Sequence, residues 1–321
     1  MLRIGIVGTG GMGTVHHSNY KYIDHCMVVA VVGKSNEDKG KAKEWKLPIY
    51  NSISEMIENE EIDIVDICTP TFLHKAHVME SIAHGKPTIV EKPLALSYKD
   101  AKEIFDYAES KGVLLFVAQV LQFTKEVEIL RDLVKSEEYG KPLDGYFERL
   151  SACPRWAQEG WLFQKEKSGL IPFDLHIHDL DVIVSLFGQP KKVSYTSCGG
   201  RDKAYKEQYR IQYEYDDLNI VGEAGWFNAD IPFTARYRVY FEKAMVINDG
   251  SKVVAYKTGE EPRIFDTEDK IKVPTGINVP PTGWYFNELS HFIECIKLNR
   301  NSPLIKKENI LEVIRILERI N

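Results

Sequence analysis

No Cys-x-x-Cys pair occurs among the five cysteines, Cys26, Cys68, Cys153, Cys198 and Cys295. An odd, scattered set argues against a disulfide framework and a thiolate zinc centre, and makes a reducing cytoplasm the expected compartment. Basic blocks are also missing. With 41 Lys and Arg against 47 Asp and Glu the formal net charge is −6. Nucleic acid and membrane surfaces are therefore not expected partners, and any bound anion must be held by local groups. No apolar run approaches the ~20 residues of a membrane span. The N-terminal stretch MLRIGIVGTGGMG is apolar but lacks a charged region followed by a long apolar core, so a signal peptide is not expected. Internal repeats and low-complexity tracts are absent.

What is present is an ordinary globular balance, 44% hydrophobic and 27% charged. The 321 residues exceed one typical core and fit two. Five short β-branched runs, RIGIVG (3–8), VVAVVG (28–33), IDIVDIC (62–68), PTIVE (87–91) and VLLFVA (113–118), alternate with helical patterns such as 73–84 and 98–111. This rhythm predicts an α/β unit, a doubly wound parallel sheet with helices on both faces, over 1–121. From 122 to 321 the pattern becomes α+β. A helix near 123–136 and a strand near 144–151 precede a series of long strand-like runs, which predict a large, mainly antiparallel sheet. Two helices, 284–298 and 307–320, close the chain.

The first strand ends in G-x-G-x-x-G spacing, with Gly8, Gly10 and Gly13 opening a helical stretch. The three glycines serve a tight turn, close approach of backbone to a pyrophosphate, and close helix–strand packing. Free N–H groups at the helix start attract the phosphates. The loop Gly8, Thr9, Gly10, Gly11, Met12 and Gly13 is therefore the expected cradle for a nicotinamide dinucleotide. The second strand ends in VVGKSNED, where Gly33 stands at the usual position of a ribose-binding acid. Lys34 and Ser35 follow and could hold a 2′-phosphate, which favours NADP over NAD, although Glu37 or Asp38 could still reach a ribose.

Ligands of open α/β sheets bind outside the carboxyl ends of the strands. There PTIVEKPLA places Glu91, Lys92 and Pro93, and CTPTFLHKAH places Thr69, Pro70 and His74 on the same rim. The Lys92 ammonium is suited to hydrogen-bond a substrate oxygen and stabilise developing negative charge.

The stretch FDLHIHDLD (173–181) packs two histidines and three aspartates into nine residues. As a strand it would present Asp174, His176 and His178 on one face, a metal-like pattern. Its apolar continuation to Gly188 predicts instead a buried helix of about four turns. At 100° per residue Asp174, His178, Asp181 and Ser185 form one polar stripe, while His176 lies nearly opposite His178. The helix reading separates the histidines, and no metal is expected. Asp174 and His178, four residues apart, are able to pair, and a carboxylate beside the imidazole makes His178 a proton acceptor for a substrate hydroxyl.

G-x-G-x-x-G, T-P-T-x-x-H, E-K-P and D-x-x-x-H-x-x-D, in this order over nearly the whole chain, resemble the glucose–fructose oxidoreductase/inositol dehydrogenase (Gfo/Idh/MocA) family. The resemblance implies a Rossmann domain followed by an α/β domain with an open sheet often used for oligomerisation, here a homodimer or homotetramer. It also implies NAD(P)-dependent oxidation or reduction of sugars and polyols, with Lys92, Asp174 and His178 at the catalytic centre. Two positions depart from its pattern. His176 replaces a common glycine and either packs or fills a pocket beside the substrate, packing being the expectation. Gln122 replaces an arginine before Phe123. Gln119, Arg155, Trp156 and Tyr285 are further candidates for substrate contact; Arg155 and Trp156 in PRWAQEGW fit an ordinary surface loop equally well. Two competing functions remain: a glycosidase of the same fold that uses NAD as a redox shuttle, and a non-enzymatic dinucleotide sensor.

Overall fold

The computed structural model describes residues 1–157, 160–274 and 280–320, without the side chain of Trp156. The chain forms two compact units, Met1–Phe123 with Asp269–Lys307, and Thr124–Glu268 with the stretch from Glu308 onward.

In the first unit six strands lie parallel in the order β3-β2-β1-β4-β5-β6. They are β1 (Leu2–Val7), β2 (Cys26–Val32), β3 (Ile49–Tyr50), β4 (Ile64–Ile67), β5 (Thr88–Glu91) and β6 (Leu115–Ala118). Five match the expected runs. The sixth, β3, is two residues pairing with Val31 and Val32 and too short to show a period. Helices α1 (Gly11–Tyr20), α2 (Asn36–Trp45), α3 (Ile53–Asn59), α4 (Thr71–Ala83) and α5 (Tyr98–Lys111) connect them. The start of α5 is fixed by the Ser97 side chain, which accepts from the Asp100 N–H, and its end by Gly112 in the left-handed region at φ 64°. The strands β4 and β5 are buried along their whole length, as two-sided parallel strands must be.

The second unit begins with α6 (Lys125–Ser136) and β7 (Pro142–Ala152). Short α7 (Lys165–Ser168) precedes a π-helical turn, Pro172–His176, that runs directly into α8 (Ile177–Phe187). Seven further strands follow: β8 (Lys192–Cys198), β9 (Gln208–Glu214), β10 (Asn219–Phe227), β11 (Thr234–Phe241), β12 (Met245–Asn248), β13 (Val253–Tyr256) and β14 (Arg263–Phe265). With β7 they make an eight-stranded sheet, β14-β13-β12-β11-β7-β10-β9-β8, antiparallel except between β7 and β10. Alternate residues of β9 and β11 are buried and exposed, so one face is packed and the other open.

The last two helices, α9 (Trp284–Lys297) and α10 (Lys307–Ile320), lie where the sequence predicts them. A contiguous second domain over 122–321 does not describe α9, which groups with the first unit. The reason is its apolar face: Leu289, Phe292, Ile293 and Cys295 pack into the core that holds Ile4, Ile64, Ile89 and Phe116.

Candidate functional site

The glycines of the β1–α1 loop are each explained by what a Cβ would meet. Gly8 has φ +92°, and a Cβ there would stand 2.9 Å from the Cys68 carbonyl oxygen. At Gly13 it would stand 2.0 Å from the Gly8 carbonyl oxygen. At Gly10 and Gly11 no atom lies within 4 Å. Two glycines thus close the turn, and two leave open space at the start of α1, whose N-cap Gly10 offers no side chain to its N–H groups. A pyrophosphate fits such a cradle. Of the other loop residues, Met12 is half-buried and Thr9 is buried, its hydroxyl donating to Asp38 Oδ1 at 2.6 Å.

That contact leads to the end of β2. Asp38, the third residue of α2, folds back so that a Cβ on Gly33 would be 2.5 Å from its own Cβ. Its Oδ2 accepts from the Lys34 N–H at 3.0 Å, the Ser35 N–H at 2.9 Å and the Ser35 hydroxyl at 2.7 Å. Burial raises the Asp38 pKa, but the bonds from Thr9 and Ser35 outweigh it and hold the carboxyl below its usual range. A carboxylate therefore does occupy the strand end, supplied from the helix rather than the strand. Ser35 is the N-cap that completes a capping box with Asp38, and Lys34 is exposed.

The rim at β4 and β5 is tied together by His74. Its ring is 1% exposed, with Nδ1 2.8 Å from the Pro93 carbonyl oxygen and Nε2 2.7 Å from that of Thr69. Burial lowers the His74 pKa and the two carbonyls oppose that shift, since only an imidazolium donates to both. Both nitrogens being engaged within the protein, the ring fastens the T-P-T turn to the E-K-P turn. Thr69 Oγ1 pairs with His77 Nδ1 at 3.1 Å, and Pro70 is the N-cap of α4. Lys92 follows β5, is half-buried, and is joined to Pro93 by a cis peptide bond. The preceding Glu91 is 7% exposed, and its Oε2 accepts from the Lys92 N–H at 3.1 Å.

Behind this rim lies a buried network that sequence reasoning missed. His16 on α1 is 0% exposed and contacts Asp66 Oδ2 at 2.8 Å through Nδ1 and Glu91 Oε1 at 3.1 Å through Nε2. The signal was Asp66, a charge in the middle of the apolar run IDIVDIC. Of the other candidates in this unit, Gln119 is 2% exposed and its side-chain oxygen lacks a hydrogen bond. Tyr285 is 8% exposed, its ring centroid 6.5 Å from that of His16.

In the second unit the helix expected over 173–187 is present, but its first turn is π-helical, with the Ile177 N–H bonded to the Pro172 carbonyl oxygen. A uniform 100° step across FDLHIHDLD is therefore corrected: the extra residue per turn shifts Asp174 relative to α8. Every residue from 171 to 184 is buried except Asp174 and His178, one turn apart and both half-exposed. Asp181, expected in the same stripe, is 3% exposed. It acts on the Arg131 guanidinium of α6, whose pKa burial lowers while Asp132, Glu128 and Asp181 raise it. Asp179 makes a bidentate pair with Arg149, both bonds 2.9 Å.

His176 takes the packing role. It is 0% exposed, shares a 2.6 Å hydrogen bond between Nε2 and the Tyr213 hydroxyl, and lies against Gly222. Burial pulls its pKa down to about 4, so the ring is neutral. Arg155 is exposed and pairs with Asp230 at 3.4 Å, while the Trp156 side chain lies outside the described residues.

Comparison with known proteins agrees with both units. Residues 2–119 match the oxidoreductase family with NAD-binding Rossmann fold, and residues 127–247 match the GFO/IDH/MocA C-terminal domain. A 2,7-anhydro-N-acetylneuraminate hydratase of Mediterraneibacter gnavus is 30% identical over 60% of this chain and 51% of its own length. The chain spans about half the length of several such curated relatives. The scyllo-inositol 2-dehydrogenase (NADP(+)) of Bacillus subtilis is 23% identical over 99% of this chain and 92% of its own length. Among solved structures, a levoglucosan dehydrogenase in complex with NADH and levoglucosan superposes with a TM-score of 0.86 at 18% identity, covering 99% of this chain and 96% of that one. At that identity the likeness shows the fold. With a matching model on each unit, the chain belongs to the GFO/IDH/MocA family of oxidoreductases.

Proposed function

We propose that the protein is a nicotinamide-dependent dehydrogenase that interconverts CH–OH and C=O on a sugar or polyol. The observation behind this is the β1–α1 cradle, open at Gly10 and Gly11, at the same carboxyl edge of the parallel sheet as the E-K-P turn that follows β5. A bound nicotinamide would accept or donate the hydride. His178 takes the hydroxyl proton during oxidation and returns it during reduction. Asp174 orients substrate hydroxyls, and the Lys92 ammonium steadies the negative charge that grows on the reacting oxygen. Half-exposure of Asp174 and His178 in an otherwise buried run supports their assignment. Gln119, Arg155, Trp156 and Tyr285 are assigned to the substrate side, and Thr69, Pro70 and Glu91 to the cofactor rim, with His74 bracing it. Turnover of a polyol panel, with and without Lys92 and His178, tests the proposal.

For the dinucleotide, Gly33, Lys34 and Ser35 favour NADP. Asp38 supports the opposite choice. Its carboxylate already takes both N–H groups and the hydroxyl at that strand end, and a 2′-phosphate entering there meets its charge. We assign NAD as the preferred form, with Asp38 as the group that selects it.

Two relatives named as hydratases support a second reading. The hydratase of Mediterraneibacter gnavus makes net redox-neutral chemistry a defined alternative, alongside a glycosidase that recycles its NAD. Product formation without accumulated reduced cofactor would favour it.

The open face of the eight-stranded sheet supports a homo-oligomer, homodimer or homotetramer. Tyr240, Tyr256 and Ile264 stand on it at 43%, 45% and 65% exposure. Opposite-strand pairing sets Tyr240 against Met245 and Met245 against Tyr256, which makes one apolar row. No described helix is long and apolar enough to cross a membrane.

A further inference from the structure

We propose that His16 is a positioning residue for Lys92, a buried cation clamped between two carboxylates that fixes the E-K-P turn through Glu91. The proposal rests on the assignment of Lys92 to catalysis made above. One carboxylate connects the two residues: Glu91 Oε1 meets His16 Nε2 at 3.1 Å, and Glu91 Oε2 accepts the Lys92 N–H at 3.1 Å. The other His16 nitrogen meets Asp66 Oδ2 at 2.8 Å. A neutral imidazole has one N–H and one lone pair, and the lone pair of this fully buried ring would then face a carboxylate. Only the imidazolium donates to both.

Among the described residues, the titratable groups seen against this ring are Asp66, Cys68, Glu91 and Tyr285, with Tyr20 bound to Asp66. Asp66 comes from β4 and also accepts the Tyr20 hydroxyl at 2.8 Å. Cys68 Sγ is 3.3 Å from Nδ1, Glu91 ends β5, and Tyr285 approaches from α9. Burial by itself lowers the His16 pKa, but the Asp66 carboxylate more than reverses this and leaves it well above the ordinary value. Burial pushes the Cys68 thiol up, so it stays protonated and adds no negative charge. The ring sets one imidazolium between two carboxylates, and loss of the imidazolium takes its hydrogen bond from the buried Glu91 Oε1.

His16, Asp66 and Cys68 also have the composition of a metal site. The 2.8 Å contact between Nδ1 and Asp66 Oδ2 argues against one. Two ligands of a tetrahedral ion at bond lengths of about 2.0–2.2 Å would stand roughly 3.4 Å apart. The side chains instead close on each other by direct hydrogen bonds.

The test uses the full-length chain labelled with ¹⁵N-histidine and, separately, uniformly with ¹⁵N. In the wild type both His16 nitrogens, assigned by their loss in His16→Asn, resonate as imidazolium and do not titrate between about pH 6 and 9, across the ordinary histidine range. A neutral-tautomer pattern overturns the proposal, and this readout needs no variant that folds beyond the one used for assignment. In His16→Asn the Lys92 amide resonance shifts, and kcat falls about 100-fold while dinucleotide Kd changes less than about twofold; Glu91→Gln lowers kcat to a similar extent. The double variant His16→Asn/Glu91→Gln, which removes both charges, recovers at least about tenfold of that kcat. An unmoved Lys92 amide, or full kcat in His16→Asn, overturns the positioning role. Full turnover in Lys92→Ala is a different outcome: it removes Lys92 from catalysis and leaves the charge state of His16 standing.

Discussion

His176 lies so close to Gly222 that a Cβ on Gly222 would stand 2.5 Å from His176 Cε1. The ring cannot swing away, being fully buried and held by the Tyr213 hydroxyl. Gly222→Ala is therefore expected to cost about 1–3 kcal/mol by overpacking. Denaturant unfolding of a double-mutant cycle checks this: in the His176→Ala background the same substitution costs at least about 0.5 kcal/mol less. Additive losses would show that the two residues do not share this space.

The same histidine gives the protein an acid limb. Its folded-state pKa, lowered to about 4, lies below the ordinary ~6.5 of an unfolded chain. Between these values the unfolded chain binds more protons. The stability that the neutral ring confers is thus complete above about pH 6.5 and is lost as pH falls toward 4, a change on the order of 3 kcal/mol. Unfolding free energies at about pH 7 and pH 4.5 should fall less in His176→Gln than in the wild type. Equal losses would mean that His176 is not held neutral.

Asp38 offers a test of cofactor choice. Asp38→Asn keeps the shape of the capping box and removes the charge beside Gly33. Titration monitored by dinucleotide fluorescence should show the wild type preferring NAD, and the variant shifting the NADP-to-NAD affinity ratio toward NADP by about tenfold, or 1.4 kcal/mol. A wild type that prefers NADP would return the choice to Lys34 and Ser35.

The cradle glycines should separate stability from binding. Gly13→Ala places its methyl 2.0 Å from the Gly8 carbonyl oxygen and should destabilise by about 1–3 kcal/mol. Gly10→Ala meets nothing within 4 Å; its stability should change by less than about 0.5 kcal/mol. Its dinucleotide affinity should nonetheless fall about tenfold, because the methyl enters the space of the pyrophosphate. Thermal melts and the same titration distinguish the two, and an unchanged Kd in Gly10→Ala would remove the loop from the binding site.

Much of this was legible because local pattern and global fold agree. Ser97 and Gly112 bracket α5, and the β-branched runs ending at Gly8 and Glu91 alternate with helical patterns, which marks them as buried parallel strands. Two features were hidden for physical reasons. The π-helical turn at Pro172–His176 has no strong local code, so a helical wheel misplaces Asp174. Helix α9 joins the first unit through long-range burial of Leu289 and Phe292, which sequence order does not reveal. Asp38, like Glu37, is an acid that the sequence places within reach of the end of β2, but its hydrogen bonds to Lys34, Ser35 and Thr9 were not legible in the sequence. The His16 network was within reach, since a lone aspartate in a buried strand requires a partner.

The most direct measurement follows absorbance of the reduced nicotinamide band while the purified protein is supplied with NAD and a panel of polyols and sugars. At least one compound should give stoichiometric reduced cofactor, and Lys92→Ala and His178→Ala should each lower kcat by at least about 100-fold with dinucleotide Kd preserved. Dinucleotide binding without reduced cofactor from any compound, or undiminished turnover in both variants, would contradict the assignment of this chain as a sugar or polyol dehydrogenase.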